Sequence, residues 1–137
     1  MANSVRVASV QFQHQASDKA YNLGRVAAFA KQAARKGAAL VVTPEMCISG
    51  YWHVTGLNRT ELDALSEPLP DGPSATEVRR LASKLGIAIG AGLLERSDDG
   101  RLFNSYFIAM PDGAIHVHRK LHAFEHKEIS SGDRYTV

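Results

Sequence analysis

Two charged residues stand where this chain is best placed to do chemistry, Glu45 and Lys120. Glu45 follows the apolar run Ala38-Ala39-Leu40-Val41-Val42, which breaks through Thr43 and Pro44. Lys120 closes a second run, Ala114-Ile115-His116-Val117-His118-Arg119-Lys120. Each therefore sits where a buried strand delivers its last residue to a sheet edge, a common place for site residues in α/β folds. A carboxylate there can accept a proton, and an ammonium can hold a developing oxyanion. What the pair lacks is a nucleophile. Cys47, the only thiol, lies two residues from Glu45. A free cysteine is usually a small buried hydrophobe, and a neighbouring carboxylate raises a thiol's pKa. Cys47 is therefore not assigned as a nucleophile.

The histidines offer a rival chemistry. His116 and His118 alternate onto one face of a strand, and His122 and His126 follow. Two His at i, i+2 with a third nearby could bind zinc, with Glu45 as base. No Cys or Asp ligand at familiar spacing completes such a set, and a solvated histidine face explains the pattern as well. No metal site is assigned. Tyr51 and Trp52, just after the Glu45 segment, are placed to rim a pocket or simply to pack.

The stretch Gly37-Ala38-Ala39-Leu40-Val41-Val42-Thr43-Pro44-Glu45-Met46-Cys47-Ile48-Ser49-Gly50-Tyr51 resembles the first signature of the nitrilase superfamily, the carbon–nitrogen hydrolases. His118-Arg119-Lys120-Leu121-His122 resembles the second, Val5–Phe12 the first strand, and Asn104-Ser105 the usual Asn-Ser before a strand. The resemblance implies a four-layer α-β-β-α sandwich, of which this chain would be about the first half. It implies Glu45 as the general base and Lys120 as the oxyanion holder. It also implies Glu128, with Glu125 as a rival, as a second carboxylate that positions substrate and lysine. The family's nucleophilic cysteine lies some thirty residues beyond the lysine, so residues 1–137 read as one hydrolase domain truncated before it. The implied reaction is hydrolysis of a small amide, nitrile or carbamoyl substrate, without metal or organic cofactor, in a protein that self-associates as a homo-oligomer. A non-catalytic half-domain acting as a binding or assembly module is the alternative.

The elements that must position these residues are legible in outline. Val5–Phe12 alternates as a strand. Ser17 or Asp18 can cap a helix whose face is Leu23, Val26, Ala27, Ala30 and Ala34, closed by Gly37 before a strand over Ala38–Thr43. This β-α-β order predicts a parallel pair with a crossover helix. From Ile48 to Pro73 the chain is a long connection with a helical turn near Glu61–Leu65. Ser74-Ala75-Thr76-Glu77 fits a capping box ahead of a helix ended by Gly86. Ile87–Leu94 reads as a buried strand. Turns at Asp98-Asp99-Gly100 and Pro111-Asp112-Gly113 then set off strands over Asn104–Met110 and Ala114–Lys120. Tyr135-Thr136-Val137 reads as the opening of another strand.

Composition bounds the rest. Hydrophobic residues make up 45% and charged residues 22%, ordinary for a globular domain. A net charge of +2 with interspersed signs gives no basic stripe for nucleic acid and no polybasic segment for a membrane surface. No apolar run is long enough to span a bilayer or to form a signal-peptide core. A single cysteine cannot form an internal disulfide, in keeping with a cytoplasmic setting.

Overall fold

Three strands meet in parallel, because the helices between them return the chain alongside the preceding strand each time. A computed structural model describes residues 4–135. Strand β1 (Val7–Ser9) leads into helix α1 (Lys19–Arg35), which returns the chain to β2 (Leu40–Val42) alongside β1. The Asp18 side chain caps α1 by accepting the Tyr21 N–H at 2.9 Å. Gly37, at φ +74°, makes the left-handed exit. Helices α2 (Arg59–Leu65) and α3 (Pro73–Leu85) precede β3 (Ala88–Arg96), which pairs with β2 in parallel. Strands β4 (Leu102–Ala109) and β5 (Ile115–Arg119) then add antiparallel, through the two glycine turns expected. A two-residue β6 (Ile129–Ser130) pairs with the start of β4.

The order β1-β2-β3-β4-β5 makes a mixed sheet. Helices α1 and α3 cover one face, where Val26, Ala30, Val78 and Ala82 pack on Val41, Ile89, Ala91 and Phe107. These are one helix layer and one sheet, the α-β half of the expected sandwich. Small residues on both helices allow close approach to the sheet. Full burial of a side chain such as Phe107, with no exposed area, is worth about 1.5–3 kcal/mol.

Several sequence expectations shift. Strands β1, β2 and β5 are shorter at both ends than the expected runs, whereas β3 extends two residues further, to Arg96, and β4 begins two residues earlier, at Leu102. The expected helix α1 face packs on the sheet, with Val26 and Ala30 buried and Leu23, Ala27 and Ala34 partly buried beside them, and Asn22 and Ala33 join its buried centre. The Glu61–Leu65 turn is a two-turn helix with its own capping box, between Asn58 and Glu61. The Ser74–Glu77 box does not form. Gly72 is the N-cap and Pro73 starts α3 two residues earlier, and the buried Glu67 carboxylate accepts from both the Ser74 N–H and hydroxyl at 2.8 Å. Glu77 pairs with Arg80 instead. Tyr135 is exposed and outside any strand, and Thr136 and Val137 lie outside the described residues.

Candidate active site

Topology explains how two residues 75 apart in sequence meet. Strand β2 is parallel to β3, and β5 is antiparallel to β4, which is itself antiparallel to β3. Strands β2 and β5 therefore run the same way, and their carboxyl ends face the same edge of the sheet. Glu45 follows β2 and Lys120 follows β5. The Lys120 Nζ donates to Glu45 Oε1 at 2.7 Å.

The backbone after β2 aims each side chain separately. Met46 adopts φ +48°, a left-handed conformation uncommon outside glycine. The turn it makes is closed by Cys47 N–H to Pro44 O at 3.2 Å and Gly50 N–H to Met46 O at 2.8 Å. Glu45 consequently points into an open cleft, with 46% of its side chain exposed. Met46 enters a satellite core with Val54, Leu62, Leu65, Leu94, Leu102 and Ile129, and Cys47 enters the helix-side core. This loop is tied to β3 by Ile48 N–H to Gly92 O and Leu94 N–H to Ser49 Oγ, both at 3.0 Å. The fully buried Asn22 of α1 supports it from behind, donating to Ile48 O at 2.9 Å and Gln15 O at 2.8 Å.

Residues of the helix-free face complete the cleft. By register, Gly92, Tyr106 and His118 lie in one row across β3, β4 and β5, and Leu94 and Asn104 in the next. Glu45, Asn104, Tyr106, His118, Lys120 and His122 line an open cleft of about 600 Å³. Asn104 Nδ2 donates to Glu45 Oε1 at 2.7 Å. The Tyr106 hydroxyl donates to Thr43 O at 2.8 Å and accepts from Thr43 N–H at 3.1 Å, clamping the strand end that carries Glu45. Its ring lies over Gly90 and Gly92, where any Cβ would meet it. Tyr51 lies beside Lys120, with the Nζ 5.9 Å from its ring centroid, while Trp52 is 74% exposed.

Electrostatics follow from these contacts. The hydrogen bond to Glu45 holds the Lys120 ammonium above the ordinary lysine range, so the site keeps its positive charge. Burial pushes the Cys47 thiol up, against smaller opposing effects from hydrogen bonds, the first with the Gly92 backbone. The thiol has no exposed surface and contacts Thr43 Oγ1 at 3.2 Å.

Glu128 engages a different partner, accepting from the Arg59 guanidinium at 3.3 Å. Glu125 makes no ion pair among the described residues. Among the described residues His116, His118, His122 and His126 do not converge with other ligands into a group that could hold a metal ion. Asn104 and Tyr106 are site residues to which sequence reasoning gave no role. The available signal was Gly90-Ala91-Gly92, since glycine inside a strand marks a close approach, here of the Tyr106 ring and the Met46 backbone.

Comparison with known proteins identifies the family and the fold. Residues 6–137 match the family model described as carbon-nitrogen hydrolase. The chain is 34% identical to a nitrilase of Pyrococcus abyssi over 120 residues, covering 88% of this chain and 44% of that protein. It is 38% identical to omega-amidase NIT2 of Danio rerio over 121 residues, covering 88% of this chain and 41% of that protein. Among solved structures, XC1258 from Xanthomonas campestris, described as a CN-hydrolase superfamily protein with an arsenic adduct in the active site, superposes with a TM-score of 0.80 at 28% identity. The match covers 97% of this chain and 48% of that one. An amidase from Nesterenkonia sp. shares the fold, with a TM-score of 0.73 at 22% identity, covering 95% of this chain and 49% of that one. The chain spans about half the length of the curated relatives it matches.

Proposed function

This chain belongs to the carbon–nitrogen hydrolase family, and from that premise we propose that it supplies the base and the cation of a thiol-dependent hydrolase. The substrates are small amides, nitriles or carbamoyl compounds, and the bond cleaved is a C–N bond other than a peptide bond. The observation that carries the reading is the Glu45–Lys120 contact at 2.7 Å in an open cleft. The nitrilase and omega-amidase relatives support the substrate class.

In this reading Glu45 takes the thiol proton, and the thiolate adds to the carbonyl carbon. Lys120 stabilises the negative charge that develops on the oxygen. Glu45 returns the proton to the leaving nitrogen, ammonia departs, and a thioester remains. Glu45 then takes a proton from water, which attacks the thioester, and collapse releases the acid and the protonated thiol. Cys47 is not that thiol, because it is sealed in the helix-side core while Glu45 faces the cleft on the other side of the sheet. It is also the sole cysteine of the chain. In this reading the nucleophile comes from outside these 137 residues. Glu128 keeps the role of second, positioning carboxylate on the family resemblance alone, since its contact here is with Arg59 and it does not line the cleft. Among the described residues no helix is long and apolar enough to cross a membrane. A cytoplasmic setting and self-association belong to the same reading.

One observation favours a second reading, an assembly module without turnover. The helix-free face leaves Val5 and Val7 68% and 53% exposed and His116 and His118 open, a surface suited to another protein layer. Ammonia release from a panel of small amides, nitriles and N-carbamoyl compounds separates the two. The hydrolase reading expects background rates from the 137 residues alone. It expects turnover once any in-frame residues that the gene supplies beyond Val137 are included, lost in Glu45→Gln and Lys120→Met. Turnover by the 137 residues that vanishes in Cys47→Ser overturns the assignment of the thiol. An extended form that stays silent on every substrate favours the assembly module.

A further inference from the structure

We propose that Asn104 is the positioning residue that holds Glu45 in a single orientation and sets which of its two oxygens is free to take a proton. The inference rests on the reading of Glu45 as the base, and its test is independent of turnover. Asn104 is 3% exposed on β4, beside Leu94 of β3. Its side chain and its backbone do different things. The Nδ2 donates to Glu45 Oε1 at 2.7 Å, while the backbone carbonyl accepts the Lys120 N–H at 2.8 Å. Lys120 Nζ closes the ring by donating to the same Oε1 at 2.7 Å. One residue thus ties the base to the strand end that carries the cation.

The consequence is an asymmetric carboxylate. Two donors converge on Oε1, and no side-chain or backbone donor among the described residues is bonded to Oε2. A lysine ammonium is a compact donor on a flexible stem and can follow either carboxylate oxygen. Asn104 sits on a strand, and its amide must turn Nδ2 toward a carboxylate that only accepts. The neutral amide therefore supplies the orientation that the lysine alone cannot. Oε2 is left as the proton acceptor, and Glu45 is held ready instead of being ordered during the reaction.

The test uses solution NMR of the 137-residue chain, reading the Glu45 side-chain rotamers from three-bond couplings and the exchange of the Asn104 side-chain amide protons. The expected result is one dominant Glu45 rotamer, with Asn104 amide protons exchanging about tenfold more slowly than exposed amides. Glu45→Ala abolishes that protection, and Lys120→Met preserves it. In Asn104→Leu the Glu45 rotamers average, while the Lys120 backbone amide stays protected because the backbone carbonyl is retained. Asn104→Ser, too short to reach the carboxylate, gives the same averaging should the leucine variant fail to fold. Averaged Glu45 rotamers in the unmodified chain, or rotamers unchanged in the Asn104 variants, overturn the proposal. A purely structural role for Asn104 would lower the unfolding midpoint without moving the Glu45 couplings. Failure of the hydrolase reading would appear in the ammonia assay and leave these couplings as they are.

Discussion

Gly92 is where a single methyl group tests how tightly the site loop is held. A Cβ built there lies 2.5 Å from the Met46 amide nitrogen and 3.2 Å from both Met46 Cα and Tyr106 Cδ2. The first obstacle is backbone and cannot rotate away. Reaching an ordinary 3.4 Å contact requires the Met46 amide to retreat by about 0.9 Å, 3.4 minus 2.5. Met46 already holds a left-handed φ of +48°, and its neighbour Ile48 is bonded to Gly92 O at 3.0 Å. The loop has little freedom to yield without moving Glu45. Overpacking of this kind costs about 1–3 kcal/mol. With a urea m-value of about 1.5 kcal/mol/M, a cost of about 2 kcal/mol lowers the midpoint by about 1.3 M. A shift of about 1 Å at Glu45 also lowers any turnover that depends on it by about a hundredfold. Gly86→Ala is the control, since its Cβ meets nothing within 4 Å and only the φ of +68° opposes it. That variant loses about 1–2 kcal/mol and leaves the Glu45 side-chain signals unchanged. A Gly92→Ala chain with the original midpoint and the original Glu45 and Lys120 signals would refute the packing reasoning.

Two further outcomes follow from buried groups. Arg119→Ala strands the Glu95 carboxylate, which is 2% exposed and shared between Arg119 and the Ser105 hydroxyl, and lowers stability by about 3–5 kcal/mol in urea unfolding. Arg119→Met with Glu95→Gln recovers part of that loss, and a single Arg119→Ala variant as stable as the parent would contradict the pairing. Cys47, with no exposed surface and a thiol pushed up by burial, resists iodoacetamide in the native chain and reacts on unfolding. Rapid native labelling would place it at the surface.

The parts of the site legible in sequence were those announced by a change of character along the chain. Glu45 and Lys120 each end an apolar run, and the parallel β1–β2 pair follows from a strand-helix-strand pattern. The meeting of the two residues depends on β2 pairing with β3 and on the antiparallel β3–β4–β5 run. Asn104 and Tyr106 were not legible as site residues, because a polar or aromatic residue within a strand looks the same whether it meets solvent or a neighbouring carboxylate. Their partners, Glu45 and Thr43, arrive from 59 and 63 residues away. Asn22 escaped for the same reason, since a buried asparagine on a helix face breaks the apolar pattern and is explained only by the loop carbonyls it serves. The Ser74–Glu77 spacing misled because local chemistry fits a capping box, while a distant carboxylate, Glu67, took the role. Glu67 is held there by Lys19 at 2.8 Å and by strand-like bonds to Leu94 and Arg96.

The central claim, that Glu45 and Lys120 form one charged site, is tested most directly by titrating the Lys120 Nζ with nitrogen-15 NMR in the native chain and in Glu45→Gln. The hydrogen bond from Lys120 to the Glu45 carboxylate places the lysine above its ordinary 10.5 in the folded chain. A group raised on folding contributes stability that is fully present below its unfolded pKa and is lost as pH rises through its folded pKa. Lys120 is therefore expected to titrate above 10.5 and to fall back in Glu45→Gln, with the stability difference between the two chains shrinking as pH climbs past that titration. A Lys120 pKa that is the same in both chains would contradict it.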